Sequence, residues 1–119
     1  MKTLVLGASD KPDRYSHKAM LMLESHGHEV VLVHPTLKSI GTRPVISDLQ
    51  MVKDSIDTVT VYLNPSTSDS LETALKTLHP RRVIFNPGAE NPRLARGLRA
   101  VGIETEDACT LVLLQSGQF

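Results

Sequence analysis

The chain has 119 residues, the size of one domain, and a chain of this length buries enough surface to form one layered core. Its 13 Lys and Arg residues balance its 13 Asp and Glu residues, so the formal net charge is zero and long-range attraction to nucleic acids or acidic membranes is not expected. Aromatic residues make up 3% of the chain, which disfavours stacking on single-stranded nucleic acid and leaves a small molecule as the favoured partner. We therefore expect a single domain over residues 1–119.

The single cysteine, Cys109, cannot form an internal disulfide. The apolar stretch near the amino terminus, at residues 3–6, is far too short for a signal peptide or a membrane segment. Both features predict a cytoplasmic protein.

Short runs rich in Val, Ile and Leu predict five β-strands, at residues 3–6, 29–33, 58–63, 82–85 and, more weakly, 103–106. Runs that are apolar on both faces are typical of a parallel sheet that is covered on two sides.

Helical patterns alternate with these strands, at residues 16–26, around Asp48, and at residues 68–79 and 91–102, and residues 110–115 close the chain. In the segment 91–102, Asn91 is the predicted cap, Pro92 occupies the first helical position and Gly102 ends the helix.

This alternation predicts an α/β fold, with a doubly wound, five-stranded parallel sheet of order 3-2-1-4-5 and helices on both faces. The ligand crevice of such a sheet lies outside the carboxyl ends of its strands, beside strand 1. Four loops are therefore expected around one mouth, at residues 7–9, 34–35, 64–65 and 86–88.

The first loop has the features of a phosphate-binding turn. Gly7 allows a sharp turn after strand 1, Ala8 permits close approach, and Ser9 offers a hydroxyl. The following helix points its amino-terminal N–H groups toward the same place, and Arg14 offers a charge-assisted contact. The alternative is that Gly7 only finishes a strand and that the loop is solvated.

Dinucleotide binding requires a G-x-G-x-x-G turn after strand 1 and an acidic residue at the end of strand 2. The turn reads "GASDKPDRYS" and strand 2 ends "VLVHP", so both requirements fail and NAD is disfavoured. A phosphorylated ribose would need a cation beyond strand 2, where Lys38 and Arg43 stand, although both are equally typical of solvated surface charge.

The third and fourth strand ends both lead into proline turns. Tyr62, Leu63, Asn64 and Pro65 form a segment that suits packing against an adenine or an extended tether, or only a turn into the next helix. In residues 86–88, Asn86 either faces the mouth or belongs to a turn without ligand contact.

Catalytic and metal-binding sets are not apparent in the sequence. His26, His28 and His34 are close in the chain but fall on a helix end, a turn and a strand end, without Cys, Asp or Glu at ligand spacing. Cys109 has no His or Asp at a recognisable spacing, which favours a semi-buried thiol. We therefore predict no metal site and assign no catalytic residue.

Two stretches resemble a known family, the small stand-alone CoA-binding domain proteins, which are similar in turn to the CoA-binding domain of the succinyl-CoA synthetase α subunit. "VLGASDKPDRYSHKAM" is similar to that family's opening turn and first helix, and "VVLVHPTLKSIGTRPVISDL" to its second strand, loop and short helix. The resemblance covers nearly the whole chain. It is weaker at "FNPGAEN" and at the carboxyl terminus.

The resemblance implies a Rossmann-like domain that holds CoA or an acyl-CoA. It implies pyrophosphate contacts for Gly7, Ala8, Ser9, Arg14, Tyr15 and Ser16, a position near the phosphorylated ribose for Lys38, and contacts to the adenine or pantetheine arm for Tyr62, Leu63, Asn64 and Pro65.

The favoured function is therefore a non-enzymatic CoA-binding protein. Two alternatives stay open: an NADP-binding regulator, and an enzyme that acts on an acyl-CoA together with a partner subunit. A homodimer, formed through a sheet edge or the carboxyl-terminal helix, is a further open alternative.

Overall fold

The computed structural model describes residues 2–119, which contain one seven-stranded sheet of order β3-β4-β2-β1-β5-β6-β7. Its strands are β1 Lys2–Leu6, β2 Glu29–Val33, β3 Ser39–Ile40, β4 Arg43–Ile46, β5 Thr58–Val61, β6 Arg82–Phe85 and β7 Glu104–Asp107. All neighbouring pairs are parallel except β3 and β4, which form an antiparallel hairpin.

The helices are α1 Tyr15–Ser25, α2 Pro65–Ser68, α3 Glu72–Leu78, α4 Pro92–Arg99 and α5 Thr110–Gln115, with 3-10 turns at Leu49–Met51 and Asp69–Leu71. The cap predicted for α4 is confirmed, because Asn91 Oδ1 accepts from Leu94 N at 3.1 Å and Pro92 begins the helix. None of the helices within residues 2–119 is long and apolar enough to cross a membrane.

The predicted fold class is confirmed, but the strand count and the assignment of the strands are wrong. The sheet has seven strands instead of five, and the third predicted strand, which is β5, pairs with β1. The place beside β2 belongs to β4, which the sequence did not reveal because it is short, partly exposed and interrupted by Pro44. Once β4 is counted, the six parallel strands have the order 3-2-1-4-5-6, and the switch point lies beside β1 as predicted.

The helix predicted at residues 68–79 begins earlier and is interrupted. Asn64 caps α2 by accepting from Thr67 N at 3.0 Å, and the 3-10 turn at Asp69–Leu71 then separates α2 from α3. An ion pair with α4 stabilises this 3-10 turn, because Arg93 of α4 contacts the Asp69 carboxylate at 3.0 Å.

The sheet is buried on both faces, as expected for parallel strands. Leu4, Leu6, Val59 and Phe85 belong to the apolar cluster under α3 and α4, whereas Val5 belongs to the cluster under α1 and α5. The successive residues of β1 therefore point to opposite helical layers, which fixes its register.

A charged pair joins the amino ends of β5 and β6, at the end of the sheet opposite the carboxyl ends. The Asp57 carboxylate accepts from Arg81 at 3.0 and 3.1 Å and from the Thr58 hydroxyl at 2.7 Å. The hydrogen bond from Arg81 is the main reason that the pKa of Asp57 lies below its ordinary value.

This pair predicts a pH dependence of stability. Because folding lowers the pKa of Asp57, its contribution is present above the unfolded pKa and is lost as the pH falls through the lowered pKa of the folded state. Urea unfolding at several pH values should show a smaller acid loss for Asp57→Asn than for the wild type. Identical acid losses in the two proteins would contradict this role.

Candidate functional site

A cleft of about 410 Å³ opens at the carboxyl ends of β1, β5 and β6. It is lined by Gly7, Ser9, Arg14, Tyr15, Ser16, Tyr62, Asn64, Pro87, Gly88 and Ala89. The first seven of these residues are ones for which the sequence predicts ligand contacts. They come from separate stretches of the chain, which the fold brings together around one cleft.

Gly7 lines the cleft and has a conformation that favours glycine, with φ of +93°. A Cβ atom at this position would lie 3.0 Å from Leu63 Cδ2 and 3.3 Å from the backbone carbon of Tyr62. The N–H groups of Gly7 and Ala8 both donate to Val33 O, at 3.2 and 3.1 Å. The turn is therefore fixed between the ends of β2 and β5.

The loop after Gly7 is held by its own polar groups. Ser9 Oγ accepts from Lys11 N at 3.1 Å, and the Ser9 carbonyl oxygen lies 2.8 Å from His17 Nδ1. Because a carbonyl oxygen can only accept, His17 Nδ1 carries the hydrogen in this contact. His17 thus ties the loop to the first turn of α1.

The amino terminus of α1 faces the cleft without a side-chain cap. Arg14 occupies the cap position, but its side chain makes no capping hydrogen bond, and the first turn has no acidic residue. Within residues 2–119, the N–H groups of Tyr15 and Ser16 have no acceptor. Free N–H groups and the helix dipole give this end a partial positive charge. The arrangement can accept an anion.

Arg14 adds a full positive charge at the same place. It is exposed, and its guanidinium forms no hydrogen bond or ion pair with any residue between 2 and 119. The adjacent Tyr15 is 68% exposed, while Ser16 is buried at the base of the helix. The cation is therefore free to approach a ligand.

Tyr62 and Asn64 line the cleft from the segment that follows β5. Asn64 Oδ1 is already used, accepting from Ser66 Oγ and Thr67 N, so its amide nitrogen remains for a ligand. The Tyr62 hydroxyl is buried and makes no hydrogen bond with the described residues. Burial raises the pKa of the Tyr62 phenol above its ordinary value.

Four predicted residues do not line this cleft. Ala8 is buried among the residues under α1 and α5, Leu63 packs on the core behind Gly7, and Pro65 is exposed at the first position of α2. Lys38 lines a separate groove of about 440 Å³ with residues 35–37, 45–47 and Met51.

The turn after β6 decides whether Asn86 faces the cleft, which the sequence left open. Asn86 faces inward: its Nδ2 donates to Thr60 Oγ1 at 2.7 Å and Val61 O at 2.9 Å, and its Oδ1 accepts from Thr110 N at 2.9 Å. The residues that line the cleft are instead Pro87, Gly88 and Ala89. The "PG" pair signalled the turn, but which of its residues lines the cleft depends on the contacts of Asn86.

The histidines have separate surroundings. His26 Nδ1 lies 2.8 Å from Met22 O, the His28 ring lies edge-on to Phe119 at 5.1 Å, and His34 Nδ1 accepts from backbone N–H groups. Within residues 2–119, no three His, Cys, Asp or Glu side chains are arranged to hold a metal ion.

The family model for the CoA binding domain matches residues 1–115, which is nearly the whole chain. The chain belongs to the CoA-binding domain family. The family predicted from the opening turn and the second strand is therefore confirmed, and the 410 Å³ cleft is the opening at the strand ends of a CoA-binding domain.

Several known proteins are similar to this CoA-binding domain. A crystal structure of an uncharacterized protein is 42% identical, with a TM-score of 0.94 over 99% of this chain and 97% of that one. The uncharacterized protein YneT of Bacillus subtilis (strain 168) is 37% identical over 59 residues, 49% of this chain and only 43% of YneT.

A larger enzyme contains the same fold. The dinucleotide forming acetyl-coenzyme A synthetase 1 of Ca. Korarchaeum cryptofilum superposes with a TM-score of 0.75 at 16% identity, over 90% of this chain and 25% of that one. At this identity the likeness concerns the fold alone.

Proposed function

We propose that the protein binds CoA or an acyl-CoA in the cleft, with the pyrophosphate against Gly7, Ser9 and the amino terminus of α1. The observation that carries this proposal is the uncapped end of α1 beside a glycine turn and the unpaired Arg14. Backbone N–H groups, a helix dipole and a guanidinium together favour a phosphate group. Membership of the CoA-binding domain family favours CoA among phosphate-bearing ligands.

The rest of the ligand would follow the strand ends in both directions. The loops after β1 and β2 are adjacent, since Gly7 and Ala8 both donate to Val33 O, and the Lys38 groove begins two residues beyond Val33. We place the phosphorylated ribose in that groove. The adenine or pantetheine arm then lies along the segment from Tyr62 to Pro65 and against Pro87–Ala89.

Binding rather than catalysis accounts best for the side chains around the cleft. They offer hydroxyls from Ser9 and Ser16, one guanidinium and an amide, while His17 is engaged with the Ser9 carbonyl. Acyl transfer needs a nucleophile hydrogen-bonded to a base. We therefore propose a CoA-binding module, and retain an enzyme completed by a partner subunit as the alternative.

A ligand series tests the proposal. Thermal unfolding would be followed with CoA, acetyl-CoA, dephospho-CoA, NADP and NAD, because a ligand at a hundred times its Kd stabilises by about 2.7 kcal/mol. We expect CoA and acetyl-CoA to raise Tm by several degrees and NAD to have no effect. An equal response to dephospho-CoA would remove the role of Lys38, and an NADP response alone would favour the regulator. No response to CoA would exclude the proposal.

Arg14 provides a direct mutational test. Arg14→Gln should weaken CoA binding about tenfold, because it removes one charge-assisted contact to phosphate, and should leave the free energy of unfolding unchanged. The matched control is Arg96→Gln, which removes an exposed arginine on α4, outside the cleft. Isothermal titration calorimetry at fixed salt measures the CoA affinity of both variants. Equal losses in the two variants would indicate a general charge effect rather than a contact at the cleft.

A further inference from the structure

The segment that follows β2 forms a turn anchored at both ends by β4. His34 N donates to Ile46 O at 3.1 Å, and Lys38 O accepts from Val45 N at 3.0 Å. Between these anchors lie Pro35, Thr36 and Leu37, which together with Lys38 form one wall of the 440 Å³ groove. The shape of that wall depends on how these three residues are held.

One ring nitrogen holds them. His34 Nδ1 accepts from Thr36 N at 3.1 Å and from Leu37 N at 3.0 Å. Pro35 has no N–H, so these two bonds satisfy every N–H group between the anchors. Both partners are donors that cannot accept, which requires Nδ1 to be unprotonated and places the hydrogen of the neutral ring on Nε2.

We propose that His34 is the positioning residue of the Lys38 groove and that it acts as a pH-sensitive latch. When the imidazole takes up a proton, Nδ1 becomes a donor and both backbone bonds are lost together. The wall formed by residues 35–38 is then released from its fixed shape. Where this groove takes the nucleotide end of CoA, which rests on the proposed function, acidification weakens the binding.

The charged groups around the turn do not take part in the contacts of the His34 ring. The elements against it are the end of β4, followed by Asp48, and the loop after β1, which carries Asp10 and Lys11, while Lys38 belongs to the turn itself. Within residues 2–119, none of these side chains forms a hydrogen bond or ion pair with the imidazole. The remaining contact of Nδ1 is with Thr36 Oγ1 at 3.5 Å, a hydroxyl that can donate or accept, so the two bonds from the backbone are the ones lost on protonation.

The latch makes a prediction opposite in sign to simple electrostatics. A histidine that acted through its charge on a ligand phosphate would strengthen binding when protonated. A latch weakens it, because the protonated ring no longer holds the wall. The pH dependence of binding therefore distinguishes the two.

The test compares the wild type with His34→Asn and His34→Phe. The Oδ1 atom of asparagine stands the same number of bonds from the backbone as Nδ1, accepts both N–H groups and does not titrate between pH 5 and 8, whereas phenylalanine keeps a ring but has no acceptor. At about pH 7.5, His34→Asn should bind CoA like the wild type and His34→Phe about fivefold more weakly, the value of one net hydrogen bond. As the pH is lowered from there, the CoA affinity of the wild type should fall towards that of His34→Phe, and the affinity of His34→Asn should not.

A measurement without ligand separates this proposal from the proposed function. In NMR titrations of the free protein, the Thr36 and Leu37 amide protons should shift and exchange faster with the same midpoint as the His34 ring, and should not do so in His34→Asn. His26→Asn, at an exposed histidine beyond α1, is the control and should retain the wild-type response. Amides that ignore the titration of His34, or a wild type that binds CoA more tightly at low pH, would overturn the latch. Failure of every variant to bind CoA would instead reject the proposed function.

Discussion

Replacement of Gly7 by alanine is expected to destabilise the protein by about 2–4 kcal/mol and to abolish CoA binding. Two costs add at this position. The φ of +93° disfavours any L side chain, and the new Cβ would lie 3.0 Å from Leu63 Cδ2 and 3.3 Å from the Tyr62 backbone carbon. Leu63 can move by a few tenths of an ångström, but the backbone after β5 is held by Tyr62 N, which donates to Leu6 O at 2.9 Å. The turn that would contact the pyrophosphate must therefore shift.

Gly27 supplies the matched control. It also has a positive φ, of +84°, but a Cβ there would meet no atom within 4 Å, and it lies beyond α1, outside the cleft. Gly27→Ala should thus cost about 1 kcal/mol, the conformational part alone, and leave CoA affinity unchanged. Urea unfolding and titration calorimetry measure both quantities. If the two variants lose equal stability, the close approach of the segment after β5 to the turn does not contribute to the cost of Gly7→Ala.

The parts of the fold that follow from local pattern could be predicted from the sequence. Strands such as β1 are apolar on both faces, and α4 carries its own cap and starting proline, so each is visible without tertiary information. β4 could not be found in this way, because Pro44 and its half-exposed neighbours have the composition of a loop. Its strand geometry comes from pairing with β2 on one side and β3 on the other.

The site shows the same division. The sequence placed Gly7, Ser9 and Arg14 at one mouth because parallel strands bring their carboxyl ends to a single edge of the sheet. It did not separate the cleft from the Lys38 groove, because the division depends on how the turn after β2 folds onto β4. Nor did it orient Asn86, since a polar residue at a strand end has the same pattern whether it faces a ligand or the core.

Asn86→Ala is expected to cost about 2–4 kcal/mol, the second large effect. The variant leaves Thr110 N without an acceptor and Val61 O and Thr60 Oγ1 without their amide donor, in a place where Asn86 is only 2% exposed. Thr60 Oγ1 keeps the Thr110 hydroxyl at 2.8 Å and Val61 O keeps the backbone N–H of residue 86 at 3.3 Å, which limits the loss. Because the carboxamide joins β5 to the start of α5, the variant should loosen that helix before the rest of the domain.

The control for the stability of Asn86→Ala is Asn64→Ala, which removes an exposed helix cap at the neighbouring strand end and should cost about 1 kcal/mol. Asn86→Asp adds a finer comparison, because the acceptor for Thr110 N is kept while a carboxylate oxygen replaces the donor that faces Val61 O. Thermal unfolding measures stability, and CoA titration of the folded protein measures binding. An Asn86→Ala variant with wild-type stability and weakened CoA affinity would mean that this side chain faces the ligand in solution. Loss of stability with retained affinity of the folded protein would mean that Asn86 stabilises the packing of α5 on β5 and makes no contact with the ligand.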